Sequence, residues 1–193
     1  MKKTVLSIAL AVVFGFSATA STPIDGEKKE VKTSESKVTW KGYKVTGSHE
    51  GNINLKSGFL MMDGKKLTGG EFVVDMTSIT NSDMTTGNGK EKLEGHLKSD
   101  DFFGVANHPT AKLVFTSAKS FNKNSYTVTG DLTIKGITKP VTLVVSMFDN
   151  KATATIKVDR SEFDVKYGSG SFFDNLGDKT IYDEFDLVVE LAL

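Results

Sequence analysis

Apolar and polar residues alternate with a period of two in several separate runs of this chain. In the clearest run, residues 126–134, every even-numbered position is apolar or glycine and every odd-numbered position is threonine or aspartate. Alternation of this kind is typical of a β-strand that buries one face and exposes the other to water. The pattern recurs at residues 141–147, 152–158 and 185–191. The second half of the chain is therefore predicted to consist mainly of antiparallel strands.

The first half carries similar signals, which bring the predicted total to about eight strands. Four further strands are predicted around residues 38–40 and at residues 51–62, 67–79 and 111–120. Gly58 is the predicted site of a bulge in the second of them. Short polar turns at residues 63–66 and 149–150 join neighbouring strands. Connections this short favour an antiparallel meander.

Eight such strands can close into a barrel or pack as a sandwich. Gly130, Ala152 and Ala154 are small residues on the apolar faces of neighbouring strands. Small inward groups leave room at the centre, and an eight-stranded barrel either fills its interior or holds one small ligand. Alanine also occurs in tapered solid cores, but the pattern favours a barrel with a cavity.

One segment, residues 93–115, interrupts the alternation. It reads LEGHLKSDDFFGVANHPTAKLVF, is charged and helix-capable, and contains two adjacent phenylalanines. We predict that it covers one open end of the barrel. Ser99, followed by two aspartates, is typical of a helix N-cap. A later loop is predicted to be anchored on the barrel by Phe172 and Phe173.

The N-terminus has the pattern of an export signal. Lys2 and Lys3 precede an apolar run at residues 5–16, and Ala18-Thr19-Ala20 has the small-x-small form of a signal-peptidase site. The apolar run is shorter than the about 20 residues that span a bilayer, so no transmembrane segment is predicted. We predict a signal peptide at 1–20, a flexible polar leader at 21–36 and one domain at 37–193, located in the periplasm or secreted.

Composition excludes several function classes. The chain has 24 basic and 24 acidic residues without a basic stripe, so no nucleic-acid partner is predicted. It has no cysteine, and its three histidines lack metal-binding spacing, so no metal and no cofactor are predicted. No nucleophile motif of a hydrolase is present. The sequence therefore favours a binding protein without catalytic residues.

Several motifs in order carry a family resemblance. They are HLKSDDFF at 96–103, His108-Pro109 before AKLVF, GDLTIKGITKPV at 130–141, and Asp159-Arg160. Together they make the chain similar to the YceI-like family, the lipocalin-like polyisoprenoid-binding proteins of bacteria. The resemblance implies an all-β fold: an antiparallel, eight-stranded lipocalin-like barrel with a short helical insert covering one end. It also implies an apolar tunnel for a long-chain isoprenoid, an isoprenoid quinone or a fatty amphiphile.

The ligand-binding residues follow from the predicted inward faces and the insert. The predicted apolar lining consists of Trp40, Phe72, Phe102, Phe103, Phe115, Leu132, Leu143, Ala154 and Ile156. For each of them, ordinary core packing is an equally acceptable interpretation. His96 and Lys98 are candidates for contact with a ligand head group at the mouth.

Arg160 is the sole arginine of the chain, and its rigid donor fork cannot be replaced by a lysine ammonium. It either pairs with a carboxylate such as Asp159, Glu162 or Asp164, or binds a phosphate head group with help from Lys98.

The predicted function is an exported protein that carries, stores or sequesters a long isoprenoid or similar amphiphile. The alternatives are a structural or stress-related envelope β-domain without a ligand, and a hydrolase acting on an isoprenoid ester or pyrophosphate. The sequence leaves the oligomeric state open, a homodimer included.

Overall fold

The structure, a computed structural model, describes residues 26–193. These residues form nine β-strands, one α-helix (α1, Lys90–Lys98) and three short 3-10 helices at Thr33–Glu35, Arg160–Phe163 and Gly177–Lys179. The strands are β1 Glu27–Glu30, β2 Lys37–Lys44, β3 Gly47–Asp63, β4 Lys66–Asn81, β5 Thr110–Asn122, β6 Ser125–Ile134, β7 Ile137–Phe148, β8 Lys151–Asp159 and β9 Ile181–Ala192.

Eight of the strands close into an antiparallel barrel. Their order is β3-β2-β9-β8-β7-β6-β5-β4, and β4 pairs back with β3 to complete the ring. Most connections are tight hairpin turns, such as the two residues between β3 and β4 and the two between β7 and β8. The predicted eight-stranded barrel with one short helix is confirmed.

The ninth strand, β1, lies outside the ring and pairs with the last residues of β3, from Phe59 to Met62. Val31 follows it and is buried, and the backbone N–H of Lys32 donates to Ala192 O at 2.9 Å. The prediction of a flexible leader is therefore wrong for residues 27–35, because backbone pairing orders a polar segment that has little apolar surface to bury. The predicted signal peptide and residues 21–25 lie outside the described residues.

Strand register places the inward residues in layers. Val38, Val189, Ala154, Val145 and Tyr126 are direct partners across five consecutive strands. Side chains of a strand alternate between its two faces. Once one inward residue is known on each strand, every second residue along that strand is therefore also inward. The even-numbered residues of β6 are buried, as the alternation predicted.

The barrel is closed at the end that carries β1 and the last residues of β9. Leu67 and Val128 are fully buried there, and Leu60 has no exposed surface. The hydroxyl of Tyr126 donates to Lys65 O in the β3–β4 turn at 3.2 Å. The opposite end carries α1 and the long connection between β8 and β9.

A glycine allows the barrel seam to form. Gly51 is the direct partner of Trp40 on β2 and of Asn81 on β4. The Trp40 ring crosses over Gly51, and its Nε1–H donates to Thr80 O at 3.0 Å. A Cβ atom at Gly51 would overlap Thr80 O and approach Trp40 Cζ2 to 2.7 Å. Only glycine leaves space for this contact, in which Trp40 of β2 reaches Thr80 of β4 across β3.

Replacing Gly51 with alanine is therefore expected to lower the free energy of unfolding by about 2–3 kcal/mol through overpacking and loss of the Trp40 hydrogen bond. For a domain of this size, thermal denaturation should shift by about 5–10 °C. The matched control is Gly42→Ala in β2, because a Cβ at Gly42 meets no atom within 4 Å. Equal melting temperatures of the two variants would contradict this account of the seam.

Two glycines have a different role from the one predicted. A Cβ at Gly130 would lie 2.8 Å from Val114 O, so this glycine permits close approach of β5 and β6 rather than leaving central space. A Cβ at Gly58 would lie 2.7 Å from Phe72 Cδ1, so the Phe72 ring lies over Gly58. The predicted bulge at Gly58 is wrong. The register of β3 against β4 instead shifts at 52–54, 55–57 and 61–62.

Helix α1 is too short to cross a bilayer, and between residues 26 and 193 there is no helix with the length and apolar character that a membrane span requires.

Candidate functional site

The barrel contains a cavity of about 170 Å³ with an almost entirely apolar wall. The wall runs from Leu60 and Leu191 near the closed end to Phe102 and Arg160 beneath α1. Every strand of the ring contributes to it, because each has inward residues at the same levels. The cavity is therefore bordered by all eight strands of the ring.

The predicted apolar lining coincides with this wall. All nine residues line the cavity: Trp40, Phe72, Phe102, Phe103, Phe115, Leu132, Leu143, Ala154 and Ile156. Their positions follow from register, as in the row Phe72–Leu113–Leu132 across β4, β5 and β6. That these residues contact a ligand stays a prediction.

Several lining residues were not predicted as such. Met76 and Ile79 from β4, Leu97 from α1, and Phe185 and Leu187 from β9 also face the cavity. The period-two pattern did place Phe185 and Leu187 on an apolar face. It carries no information about which part of that face borders a void.

The cavity is covered at one end by α1 and the segment after it, residues 99–109. Leu97 is buried and reaches the cavity from the helix. Phe102 and Phe103 follow, with ring centroids 5.0 Å apart in edge-to-face contact, and Phe103 lies 6.4 Å from the Phe185 ring. The two adjacent phenylalanines thus form the inner surface of the lid.

The helix ends where the sequence predicted one to begin. The Ser99 side chain donates to His96 O at 2.7 Å and its backbone N–H bonds to the same oxygen, which makes Ser99 the C-cap of α1. Gly104 then has a φ of +57°, a conformation that glycine adopts without strain, and its N–H donates to Ser99 O at 2.8 Å. The N-cap prediction for Ser99 is wrong because the helix starts earlier, after Gly89.

His96 and Lys98 lie on α1 but not on the cavity wall. The His96 ring packs against Tyr167 at 4.3 Å and Phe102 at 5.6 Å. Its Nε2 atom is buried without a hydrogen-bond partner among the described residues. His96 therefore links α1 to the β8–β9 connection. Contact of His96 or Lys98 with a ligand head group stays a prediction.

Arg160 lines the cavity and is only 2% exposed. Its Nη1 donates to Val165 O at 2.8 Å, its Nη2 to Ile181 O at 2.9 Å and its Nε to Tyr182 O at 3.2 Å. Nη2 lies 3.2 Å from Asp183 Oδ1. Burial lowers the pKa of the guanidinium, and the Asp183 carboxylate acts against this shift.

The carboxylate partner differs from those predicted. Asp159 instead accepts hydrogen bonds from the backbone N–H and hydroxyl of Ser161, and Asp164 pairs with Lys166. Asp183 enters β9 after a long connection, so its proximity to Arg160 depends on tertiary structure. An ion pair with Asp159, Glu162 or Asp164 is therefore the wrong assignment.

Arg160 also fixes the connection between β8 and β9. Its three carbonyl acceptors lie at the two ends of residues 165–182, so one guanidinium holds both ends together. Its Cζ lies 5.5 Å from the Phe102 ring centroid. Phe172 and Phe173 are 43% and 50% exposed, so the prediction that they anchor this loop is wrong.

A second depression of about 560 Å³ lies outside the lid, bordered by Asp100, Lys135, Lys166 and Phe173. It is larger than the barrel cavity but wide open and mixed in polarity, which marks a surface groove rather than an enclosed site. Residues 26–193 contain no group of three metal-ligating side chains.

The sequence model of the YceI-like domain matches residues 30–193. The chain belongs to the YceI-like domain family. The match begins seven residues before the predicted domain start, and so includes the end of β1 and the segment that follows it.

Curated relatives of this YceI-like domain match over part of their length. A UPF0312 protein of Shewanella denitrificans is 36% identical over 93 residues, which are 48% of this chain and 46% of that protein. A UPF0312 protein of Pseudomonas putida is 53% identical over 47 residues, 24% of each chain. These alignments thus span less than half the length of either relative.

Solved structures share the fold over a greater length. Burkholderia cenocepacia BcnA superposes with a TM-score of 0.66 at 24% identity, covering 84% of this chain and 99% of that one. A polyisoprenoid binding domain from Saccharophagus degradans, implicated in plant cell wall breakdown, gives a TM-score of 0.58 at 14% identity, covering 84% and 97%. At these identities the likeness concerns the fold.

Proposed function

We propose that this YceI-like domain binds the apolar tail of a long isoprenoid, an isoprenoid quinone or a similar fatty amphiphile in its barrel cavity. The observation that carries the proposal is the almost wholly apolar cavity inside the barrel, beneath a lid. Apolar cavities of this kind stay dry and accept hydrocarbon, because water finds no hydrogen-bond partners in them. The polyisoprenoid-binding domain of the same fold supports this choice of ligand class.

The cavity volume sets the length of tail that fits without rearrangement. One water molecule needs about 10–15 Å³ of such volume. The 170 Å³ present therefore accommodates roughly a dozen methylene-sized groups, or about two to three isoprene units. A longer tail has to extend beneath the lid or displace Phe102 and Phe103.

Within this proposal the protein is an exported carrier, store or sequestering protein that does not transform its ligand. The export signal predicted at residues 1–20 supports a periplasmic or secreted location. The cavity argues against the alternative of a purely structural β-domain, because a domain that binds nothing is expected to have a close-packed interior. For a hydrolase, the part of the cavity wall that the structure describes has the hydroxyls of Thr153 and Tyr182 but no histidine or carboxylate that could serve them as a general base.

Affinity is expected to rise steeply with tail length and then level off. Ligand-efficiency limits of about 0.3 kcal/mol per heavy atom give about 1.5 kcal/mol per isoprene unit, or about tenfold in Kd. Isothermal titration of geraniol, farnesol and geranylgeraniol should show about tenfold tighter binding from two to three units and a smaller gain at four.

The matched control series is the saturated alcohols of 10, 15 and 20 carbons, which test whether the cavity responds to volume or to isoprenoid shape. A Kd that is independent of chain length, or no binding together with an unchanged melting temperature, would remove the basis of the proposal.

A further inference from the structure

Arg160 is the one buried charged side chain on the cavity wall of the described structure. Lys112 also borders the cavity, but it is an exposed residue and its ammonium lies 3.0 Å from Glu71 Oε2. A guanidinium carries five N–H donors. Three of them bond to Val165 O, Ile181 O and Tyr182 O, and a fourth belongs to the Nη2 atom 3.2 Å from Asp183 Oδ1. One N–H on Nη1 and one on Nη2 are left without a hydrogen-bond acceptor from residues 26–193, because Asp183 Oδ1 lies at ion-pair distance but accepts no hydrogen bond.

The charge of Arg160 is already compensated by the protein. Asp183 lies at ion-pair distance, and Asp159 is a second carboxylate whose charge acts on the guanidinium. Asp183 Oδ2 is itself held by the Ser171 hydroxyl at 2.6 Å, and its Oδ1 has no hydrogen-bond partner in the described part of the chain. The local arrangement therefore has two carboxylates for one guanidinium.

The carboxylates beside Arg160 affect which head groups the cavity can accept. A phosphate monoester carries about −1.5 to −2 charges at neutral pH. Placed beside Arg160 it would add a third anion to a low-dielectric wall, where unpaired charge is costly. An uncharged carbonyl oxygen needs only one donor, which the remaining Nη1–H can supply.

We propose that, among amphiphiles with the same tail, this cavity selects those whose head group is an uncharged hydrogen-bond acceptor, such as a ketone or quinone carbonyl, over phosphorylated ones. Arg160 donates the hydrogen bond, and Asp183 is the residue that determines the selectivity by cancelling the positive charge. The proposal rests on tail binding in the cavity, which is the proposed function.

The test compares farnesylacetone, a ketone, with farnesyl phosphate, which carries the same three-unit tail. Isothermal titration of the wild-type protein at pH 8 should give at least about tenfold tighter binding of the ketone. Asp183→Asn removes the carboxylate at ion-pair distance from Arg160 and leaves only Asp159 to act on its charge, so it should reduce this preference by about tenfold or reverse it. The matched control is Glu184→Gln, which alters the neighbouring, outward-facing carboxylate that pairs with Lys157. It should keep the wild-type preference.

A spectroscopic readout tests the hydrogen bond itself. The C=O stretching band of bound farnesylacetone should lie at lower frequency than in hexane, as expected of a carbonyl that accepts an N–H. A band at the hexane position would overturn the assignment of Arg160 as donor.

The outcomes separate this inference from the function on which it rests. If neither probe binds, tail binding itself fails. If both bind and farnesyl phosphate binds as tightly as the ketone or more tightly, the head-group inference is wrong while the carrier function stands. Equal preferences in Asp183→Asn and Glu184→Gln would overturn the role of Asp183. Should Asp183→Asn not fold, the wild-type comparison still decides the selectivity.

Discussion

Replacing Ala154 with phenylalanine is expected to weaken binding of farnesol by about 100-fold while the barrel remains folded. Ala154 lines the cavity in the layer that contains Val145 and Val189. A benzyl group there takes the space of more than one isoprene unit and separates the lid end of the cavity from the closed end. Loss of about two units corresponds to about 3 kcal/mol, which is about 100-fold in Kd.

The matched control is Thr155→Phe, which adds an aromatic ring on the exposed outer face of the same strand. It should bind farnesol as the wild type does. Circular dichroism and thermal denaturation of both variants should show that the fold is retained. The reason is that the cavity gives the new ring space that a solid core would not give. Unchanged affinity of Ala154→Phe would show that the tail does not pass this layer.

Replacing Arg160 with alanine is expected to lower the free energy of unfolding by about 3–5 kcal/mol. The substitution leaves Asp183 as a largely but not fully buried carboxylate without its cation, and removes the donors from three carbonyl groups. Removing one partner of a buried ion pair costs about this much. The melting temperature should fall by about 10 °C, and amide hydrogen exchange should accelerate across residues 165–182 because both ends of this connection lose the same anchor.

Lys166→Ala serves as its control, because Lys166 lies on the same connection and pairs with Asp164 in a solvent-exposed contact. Exposed pairs contribute little, so its melting temperature should stay near that of the wild type. Arg160→Lys should recover only part of the loss, since an ammonium cannot reach three carbonyls and a carboxylate in one plane. A loss below about 1 kcal/mol for Arg160→Ala would contradict the anchoring role.

The substitutions of Ala154 and Arg160 test two different properties of the cavity wall, namely free space for the tail and firm packing at the lid end. Ala154 is small where the tail has to pass, and its replacement affects binding more than folding. Arg160 is large and charged where the wall meets the lid, and its replacement affects folding first. A cavity of this kind depends on both, because a void has to be held open by side chains that are themselves firmly packed.

The inner wall was predictable because its information is local. Side chains alternate strictly along a strand, so Leu132, Leu143 and Ile156 could be assigned to the inner face without knowledge of their partners. The two phenylalanines of the insert were predictable as cover for the same reason: a segment that leaves the sheet pattern yet keeps large apolar residues has to bury them elsewhere.

Other features required long-range information. β1 has a polar sequence, and it becomes a strand because the end of β3 extends beyond its pairing with β2 and offers backbone hydrogen bonds. The helix boundary was misplaced because Ser99 has the same local chemistry at either end of a helix, and only the preceding turns show which end it caps.

The sequence by itself determined the strand count of the ring, the face of each strand that turns inward and the segment that covers the barrel, since all three follow from alternation and its interruption. The tertiary structure decided how much of the interior is empty, which carboxylate meets Arg160 and which polar residues stay outside the cavity. The physical reason is that these depend on barrel closure and on the path of the β8–β9 connection, which brings Asp183 to Arg160 through contacts between residues far apart in the chain.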